Sequence, residues 1–358
     1  MATVASFNVE YIQYLSPSGE LVGDRLPAIA KDYEQIKSLY ETMVLTRVFD
    51  TKAISLQRTG KLGTYASSLG HEAVHVGIGS AMNYEDVFAP MYREYGVQFC
   101  RGVKMSEVLL YWGGDERGSD FSGPPHDFPW CVPIATQNTH AAGAALAFKL
   151  RKEPRCAVTV IGDGGSSKGD FLEAINAASA FKLPMVMVIV NNGWAISVPR
   201  EKQSSGETLA QKGIAGGLPC IQVDGNDLLA VHNEVKHAIT RARKGKGATV
   251  IEAITYRLGD HTTADDASRY RPDEEVENAK QYEPISRIRQ YLMNHNQWSV
   301  QQENQLLEQC ARKVEAAVKT YQDTPKPAVT DMFDYMFAEL PHDLKEQRKF
   351  AEEFEKNG

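Results

Sequence analysis

The chain has 358 residues, 42% of them hydrophobic and 24% charged, with a formal net charge of −7. That suffices for a sizeable core in one large domain or two small ones. The absence of a dense lysine or arginine run argues against nucleic acid as a partner and against a polybasic membrane surface. Cys100, Cys131, Cys156, Cys220 and Cys310 lie far apart, with no CxxC pair and no metal-ligand spacing, as in a protein of a reducing compartment. The opening MATVASFNVEYIQYL lacks the basic region, apolar stretch and arginines of targeting signals, so a cytoplasmic location is expected, with no membrane association.

Residues 1–30 contain PSGE and many small or polar side chains, and read as an N-terminal arm that needs a partner surface to become ordered. The main domain is expected over 31–340 and a C-terminal segment over 341–358. From Asp32 to Gly60 a stripe of Tyr33, Ile36, Leu39, Tyr40, Met43, Val44 and Val48 predicts a long amphipathic helix. A second helix is expected from about His71 to Met82, with small residues suited to close packing. Its start spells HEAVH, the letters of a zinc-protease helix, but no third ligand follows. YREY at Tyr92–Tyr95 reads either as a helix start with aromatic packing or as a phosphate clamp, in which Arg93 forks onto phosphate oxygens and Tyr92 adds a neutral donor.

Between Asp115 and Thr136 glycine, proline and charge predict a long loop over the surface or a site, closing with CVPIATQ. A small-residue helix is expected from His140 to Lys149. Then comes the most informative stretch, CAVTVIGDGGSSKGDFLEAINAASAFKLPMVMVIVNNGWAIS, from Cys156 to Ser197. Ala157–Ile161 suits a strand buried on both faces, and Gly162, Gly164 and Gly165 suit a tight turn. Asp170–Phe181 has helical spacing, and Met185–Val190 reads as a second buried strand. This is a βαβ unit, whose ligand crevice lies at the carboxyl ends of its strands. Asp163 stands just past the first strand, and Asn191 and Asn192 just past the second. One carboxylate and one carboxamide there can converge on a hard cation such as Mg²⁺, while backbone N–H groups at Gly164 and Gly165 can hold phosphates. A nicotinamide fingerprint fits less well, since Ser167 stands where it needs a third glycine and Asn191–Asn192 where it needs an acidic residue.

IQVDGND reads as a strand and turn, Leu228–Lys244 as an amphipathic helix and Thr249–Tyr256 as another strand. The fold class is therefore α/β, a mostly parallel sheet flanked by helices. RLGDHTTADDASRYRPDEE follows, rich in charge and hydroxyls, and by itself reads as a mobile surface loop. Helices are expected again around Ile285–Leu292 and Val300–Tyr321. The stretch with Met332, Phe333, Tyr335, Met336 and Phe337 is expected at a subunit interface.

Gly-Asp-Gly, a 26-residue gap from Gly165 to Val190, and Asn-Asn resemble the thiamin diphosphate motif. With GHEAVHVG, YREYG, YWGGDERGS and YRLGDHTTADDASRYR in this order, residues 30–340 resemble alpha subunits of the 2-oxo acid dehydrogenases. The resemblance implies a thiamin diphosphate-binding fold with Mg²⁺ held by Asp163, Asn192 and the Trp194 carbonyl. It implies diphosphate contacts from Tyr92, Arg93 and His261, with Val132 meeting the aminopyrimidine through its carbonyl and Ile134 bending the cofactor.

His261 is the implied catalytic residue, passing the acyl group to a lipoyl arm. Arg257, Asp265, Tyr270 and Arg271 would order its loop, with Asp265 and Asp266 not distinguished as the ordering carboxylate. Some relatives hold a potassium ion around Cys131, Pro133, Thr136 and Gln137, but Cys131 replaces a serine and that ion is not assigned. Mitochondrial relatives are phosphorylated on a serine whose equivalent here is Thr262. The implied partners are a beta subunit, in a heterotetramer of two alpha and two beta chains, and the lipoyl-bearing dihydrolipoyl transacylase core. The implied substrate is a 2-oxo acid, with pyruvate first, branched-chain acids or acetoin being the alternatives. Ala66 and His71 depart from the pattern of mitochondrial pyruvate enzymes.

Overall fold

The computed structural model describes residues 1–357. Its strands are β1 (Tyr11–Ile12), β2 (Val87–Ala89), β3 (Ala157–Gly162), β4 (Met185–Asn191), β5 (Trp194–Ala195), β6 (Val198–Pro199), β7 (Cys220–Asp224) and β8 (Thr249–Ile254). Six of them form one sheet in the order β1-β7-β8-β4-β3-β2, with every neighbouring pair parallel. Among the described strands the short ribbon β5-β6 pairs antiparallel. The central strands are near-continuous apolar runs because helices cover both of their faces.

The helices that matter for the site are α1 (Tyr33–Arg58), α2 (Glu72–Ala81), α3 (Tyr95–Arg101), α4 (Met105–Trp112), α5 (Thr136–Arg151) and α6 (Gly169–Ala180). Val74 and Ile78 of α2 join Val231, Val235 and Ala238 of the helix Leu228–Arg241 over one face, packed on Val158, Val188 and Ile251. Ala141, Ala145 and Phe148 of α5 and Phe171 and Ile175 of α6 cover the other, against Ile161, Met187 and Val250. This is the expected α/β architecture, and the expected helices and strands stand within a few residues of their predicted bounds. α1 begins where its N-cap says it should, since the Asp32 side chain accepts from the Gln35 N–H at 3.0 Å.

The N-terminal arm differs from the expectation. From Tyr11 onward it finds its surface on this chain rather than on a partner: β1 adds to the sheet edge beside β7, and Leu15 is fully buried. Asp227 is the reason. One carboxylate oxygen caps the helix Leu228–Arg241 through Leu229 and Ala230, and the other accepts from the Tyr14 and Leu15 N–H groups at 2.6 and 2.7 Å. In the C-terminal segment the helix His342–Asn357 forms. Met332, Tyr335, Met336 and Phe337 are exposed, whereas Phe333 is buried. Among the described residues no helix is long and apolar enough to cross a membrane.

Candidate active site

The carboxyl ends of β3 and β4 open into a cleft of about 1290 Å³. Tyr92, Arg93, Val132, Ile134, Asp163, Gly164, Gly165, Asn192, Trp194 and His261 all line it. Residues that sequence spreads over 170 positions thus meet on one surface.

Asp163 leaves β3 with its side chain almost wholly buried. One carboxylate oxygen accepts from the Gly164 N–H at 2.8 Å, and the other is buried without a partner among the described residues. Burial pushes its carboxyl up to about 6, against the smaller opposing effects of that N–H and of Arg257. An orphaned carboxylate oxygen aimed into a polar cleft is suited to a cation. Because Gly164 spends its N–H on Asp163, the Gly165 amide is the one that meets no acceptor among the described residues. Of the two amides expected to hold phosphate, Gly165 is thus the one without a protein acceptor, and Gly164 is shared with Asp163.

The two asparagines divide the work because successive residues at a strand end face opposite ways. Asn191 turns away, donating to the buried Glu252 at 2.7 Å. Asn192 faces the cleft, where its amide oxygen accepts from the Trp194 N–H at 3.2 Å and its nitrogen lies 3.1 Å from His71 Nε2. Among the described residues no three His, Cys, Asp or Glu side chains gather as a metal site. A cation here would have to take mixed oxygens: the Asp163 carboxylate, the Asn192 amide and a backbone carbonyl. HEAVH is not a zinc site: His71 and His75 are buried and stacked, and Glu72 pairs with Arg47.

On the opposite wall Arg93 is buried, with Nη1 donating to the Ser67 carbonyl and Nη2 to the His261 carbonyl at 2.9 Å. His261 Nδ1 lies 3.2 Å from Arg93 Nη2 and 3.4 Å from Arg257 Nη1. Both neighbours are donors only, so Nδ1 is the acceptor and the ring proton sits on Nε2. Burial, then the two guanidinium charges, push the imidazole down to about 3, with Asp265 opposing them. Asp265 orders the loop by accepting from the His261 N–H at 2.9 Å and from the Tyr270 hydroxyl. Asp266, by contrast, faces solvent and bonds Ser268. The choice between the two carboxylates, open in the sequence, falls to Asp265.

The profile of the family described as dehydrogenase E1 component matches residues 40–330. The pyruvate dehydrogenase E1 component subunit alpha of Acholeplasma laidlawii is 42% identical over 333 residues, covering 92% of this chain and 96% of that protein. Its namesake from Staphylococcus aureus strain Mu50 is 41% identical over 347 residues, covering 97% and 94%. The chain belongs to the dehydrogenase E1 component family. These are thiamin diphosphate-dependent 2-oxo acid dehydrogenases, and the chain is of the alpha-subunit type.

Several residues of this E1 cleft have no role assigned from the sequence, although Tyr111 and Trp112 open the motif YWGGDERGS. Thr64, Met91, Tyr111 and Trp112 line the cleft. Behind it, Asp50 of α1 is buried and accepts from the Tyr65 hydroxyl, Ser67 Oγ and the Ser68 N–H at 2.9, 2.7 and 2.6 Å. It thereby fixes the Ser67 carbonyl that holds Arg93. A carboxylate inside an otherwise apolar helix stripe is the one signal that could have pointed to it.

Proposed function

We propose that the chain is the alpha subunit of a cytoplasmic pyruvate dehydrogenase (acetyl-transferring). It works in a heterotetramer with a beta subunit and hands acetyl groups to the lipoyl arm of a dihydrolipoyl transacylase. The observation that carries the cofactor assignment is the buried, unpartnered Asp163 oxygen facing Arg93 and His261 across one cleft.

Asp163, Asn192 and the Trp194 carbonyl would hold Mg²⁺, a hard cation that takes oxygen ligands and shares phosphate oxygens. Arg93, Tyr92, the Gly165 amide and His261 would hold the diphosphate of the cofactor. Ile134, beside Gly165, would support its bend, and Val132 would meet the aminopyrimidine. When bound, thiamin diphosphate supplies a nucleophilic carbon and an electron sink for loss of CO₂. His261 keeps a neutral ring with its N–H at Nε2, and so can donate a hydrogen bond to the oxygen or thiolate on which negative charge develops at the reaction centre. The exposed Met332, Tyr335, Met336 and Phe337 support a subunit contact there.

The test is dye-linked oxidative decarboxylation by this chain with and without its beta partner, with thiamin diphosphate and Mg²⁺ added or withheld. Pyruvate turnover that needs both chains and both additions is the expected result. Full-rate turnover by this chain alone would sink the shared-site reading. An assembled complex that ignores pyruvate but accepts branched-chain 2-oxo acids or acetoin would move the substrate.

A further inference from the structure

The turn after β4 is bent into an unfavourable shape. Gly193 has φ +85°, which glycine tolerates, but Ile196 has φ +56°, where a β-branched side chain is an outlier. Such a backbone persists only where the surroundings over-determine it. The turn carries the Trp194 carbonyl, so what holds the turn also aims that oxygen.

The clamps come from one stretch of chain. Arg257 donates from Nη2 to the Ile196 carbonyl at 2.9 Å and from Nη1 to the Trp194 carbonyl at 3.4 Å. The Tyr270 ring lies 5.5 Å from the Trp194 ring. Glu275 closes the set: a single carboxylate oxygen accepts from the Trp194 indole N–H at 3.0 Å and from the Tyr256 hydroxyl at 2.9 Å. Arg257, Tyr270 and Glu275 all follow β8, on the stretch that also bears His261. Glu275 is not itself part of the cleft lining and reaches it through Trp194.

We propose that Glu275 is a positioning residue that couples the metal site to the His261 segment by anchoring the Trp194 turn. This rests on the Mg²⁺ role assigned above to the Trp194 carbonyl. The coupling is reciprocal by thermodynamic necessity: if the closed segment improves Mg²⁺ affinity, bound Mg²⁺ favours the closed segment to the same degree.

The experiment uses the assembled alpha–beta complex. Calorimetry measures the Mg²⁺ concentration that half-saturates thiamin diphosphate binding, and limited trypsin cleavage after the exposed Arg269 reports the segment. Glu275→Ala is expected to raise the half-saturating Mg²⁺ by roughly tenfold, the usual scale for a residue that orients a metal ligand from behind. In the parent complex Mg²⁺ and thiamin diphosphate are expected to slow cleavage after Arg269, and Glu275→Ala should abolish that protection. Glu275→Gln keeps a carbonyl oxygen able to accept both bonds, and should rescue both readouts. Trp194→Phe, which removes the indole donor but keeps the backbone carbonyl, should match Glu275→Ala, and the double variant should be no worse than either alone.

An unchanged Mg²⁺ requirement in Glu275→Ala, or a Gln variant as impaired as the Ala variant, overturns the coupling. Asp163→Asn separates the two ideas. If it raises the Mg²⁺ requirement while Glu275→Ala does not, the metal site stands and the positioning role falls. If Asp163→Asn is silent as well, both fall.

Discussion

Arg93 reaches His261 twice through the same nitrogen, at 2.9 Å to its backbone carbonyl and 3.2 Å to ring Nδ1. With Nη1 on the Ser67 carbonyl, the guanidinium is a bracket between the segment before α2 and the loop after β8. A lysine carries one compact ammonium and cannot span these acceptors. Arg93→Lys in the assembled complex is therefore expected to raise the half-saturating thiamin diphosphate concentration by roughly tenfold, about 1.4 kcal/mol. Thermal unfolding should change little. A cofactor titration that overlays the parent's would remove Arg93 from the bracket.

The same geometry sets a pH response. His261 has its imidazole pushed down to about 3 by burial and by Arg93 and Arg257, whereas the free side chain takes up its proton near 6.5. Between those values the open or unfolded segment binds more protons than the closed one. The closed arrangement consequently loses stability as pH falls through 6.5 toward 3, and is unaffected by this group above it. In selectively labelled protein, the His261 ring resonance should keep its neutral position at pH 5. A bound diphosphate would offset the two cations and move the midpoint up. A midpoint near 6.5 without any ligand would contradict the two-guanidinium environment.

Asp50 supplies a prediction away from the cleft. It is fully buried, and its carboxyl is pushed up by desolvation against the bonds it accepts from Ser67, Ser68 and Tyr65. Asp50→Ala leaves those donors unpaired in the interior, at a cost of about 3 kcal/mol. It also frees the Ser67 carbonyl, so cofactor affinity should fall with stability. Asp50→Asn retains one acceptor and should lose less of both. Denaturant midpoints and cofactor titrations on the two variants check the ranking, and equal stability of Asp50→Ala and the parent would refute it.

The parts of this site legible in the sequence are those where local chemistry is unusual. Three glycines at a strand end require a tight turn, and Asp163 and Asn192 are polar where buried strands stop. Residues whose role depends on contacts far along the chain were harder to see. Asp50 looks like one polar residue in an amphipathic helix until the Tyr65–Ser68 segment folds over it. Glu275 sits in the acidic run Asp273–Glu275, and its sequence alone cannot tell which carboxylate meets Trp194. The order of the arm depends in the same way on Asp227, more than 200 residues away.

Gly165 tests the packing beneath the proposed cofactor. Its φ lies outside the left-handed region, so the backbone itself would accept alanine. Space is what forbids it: an added Cβ would stand 2.8 Å from Ile161 Cγ1 and 3.0 Å from Ile134 Cγ2. Ile161 is fully buried in β3 and held on both sides, whereas Ile134 is only partly buried and lines the cleft. Relief therefore requires the turn to shift away from Ile161, which presses the new Cβ onto Ile134 and drives that side chain into the cleft. Gly165→Ala is expected to weaken thiamin diphosphate binding by roughly tenfold while costing about 1–3 kcal/mol or less in stability. Ile134→Ala removes the side chain that would be displaced, so adding Gly165→Ala to it should cost less affinity than in the parent. Fully additive losses would show that the two side chains do not compete for this space.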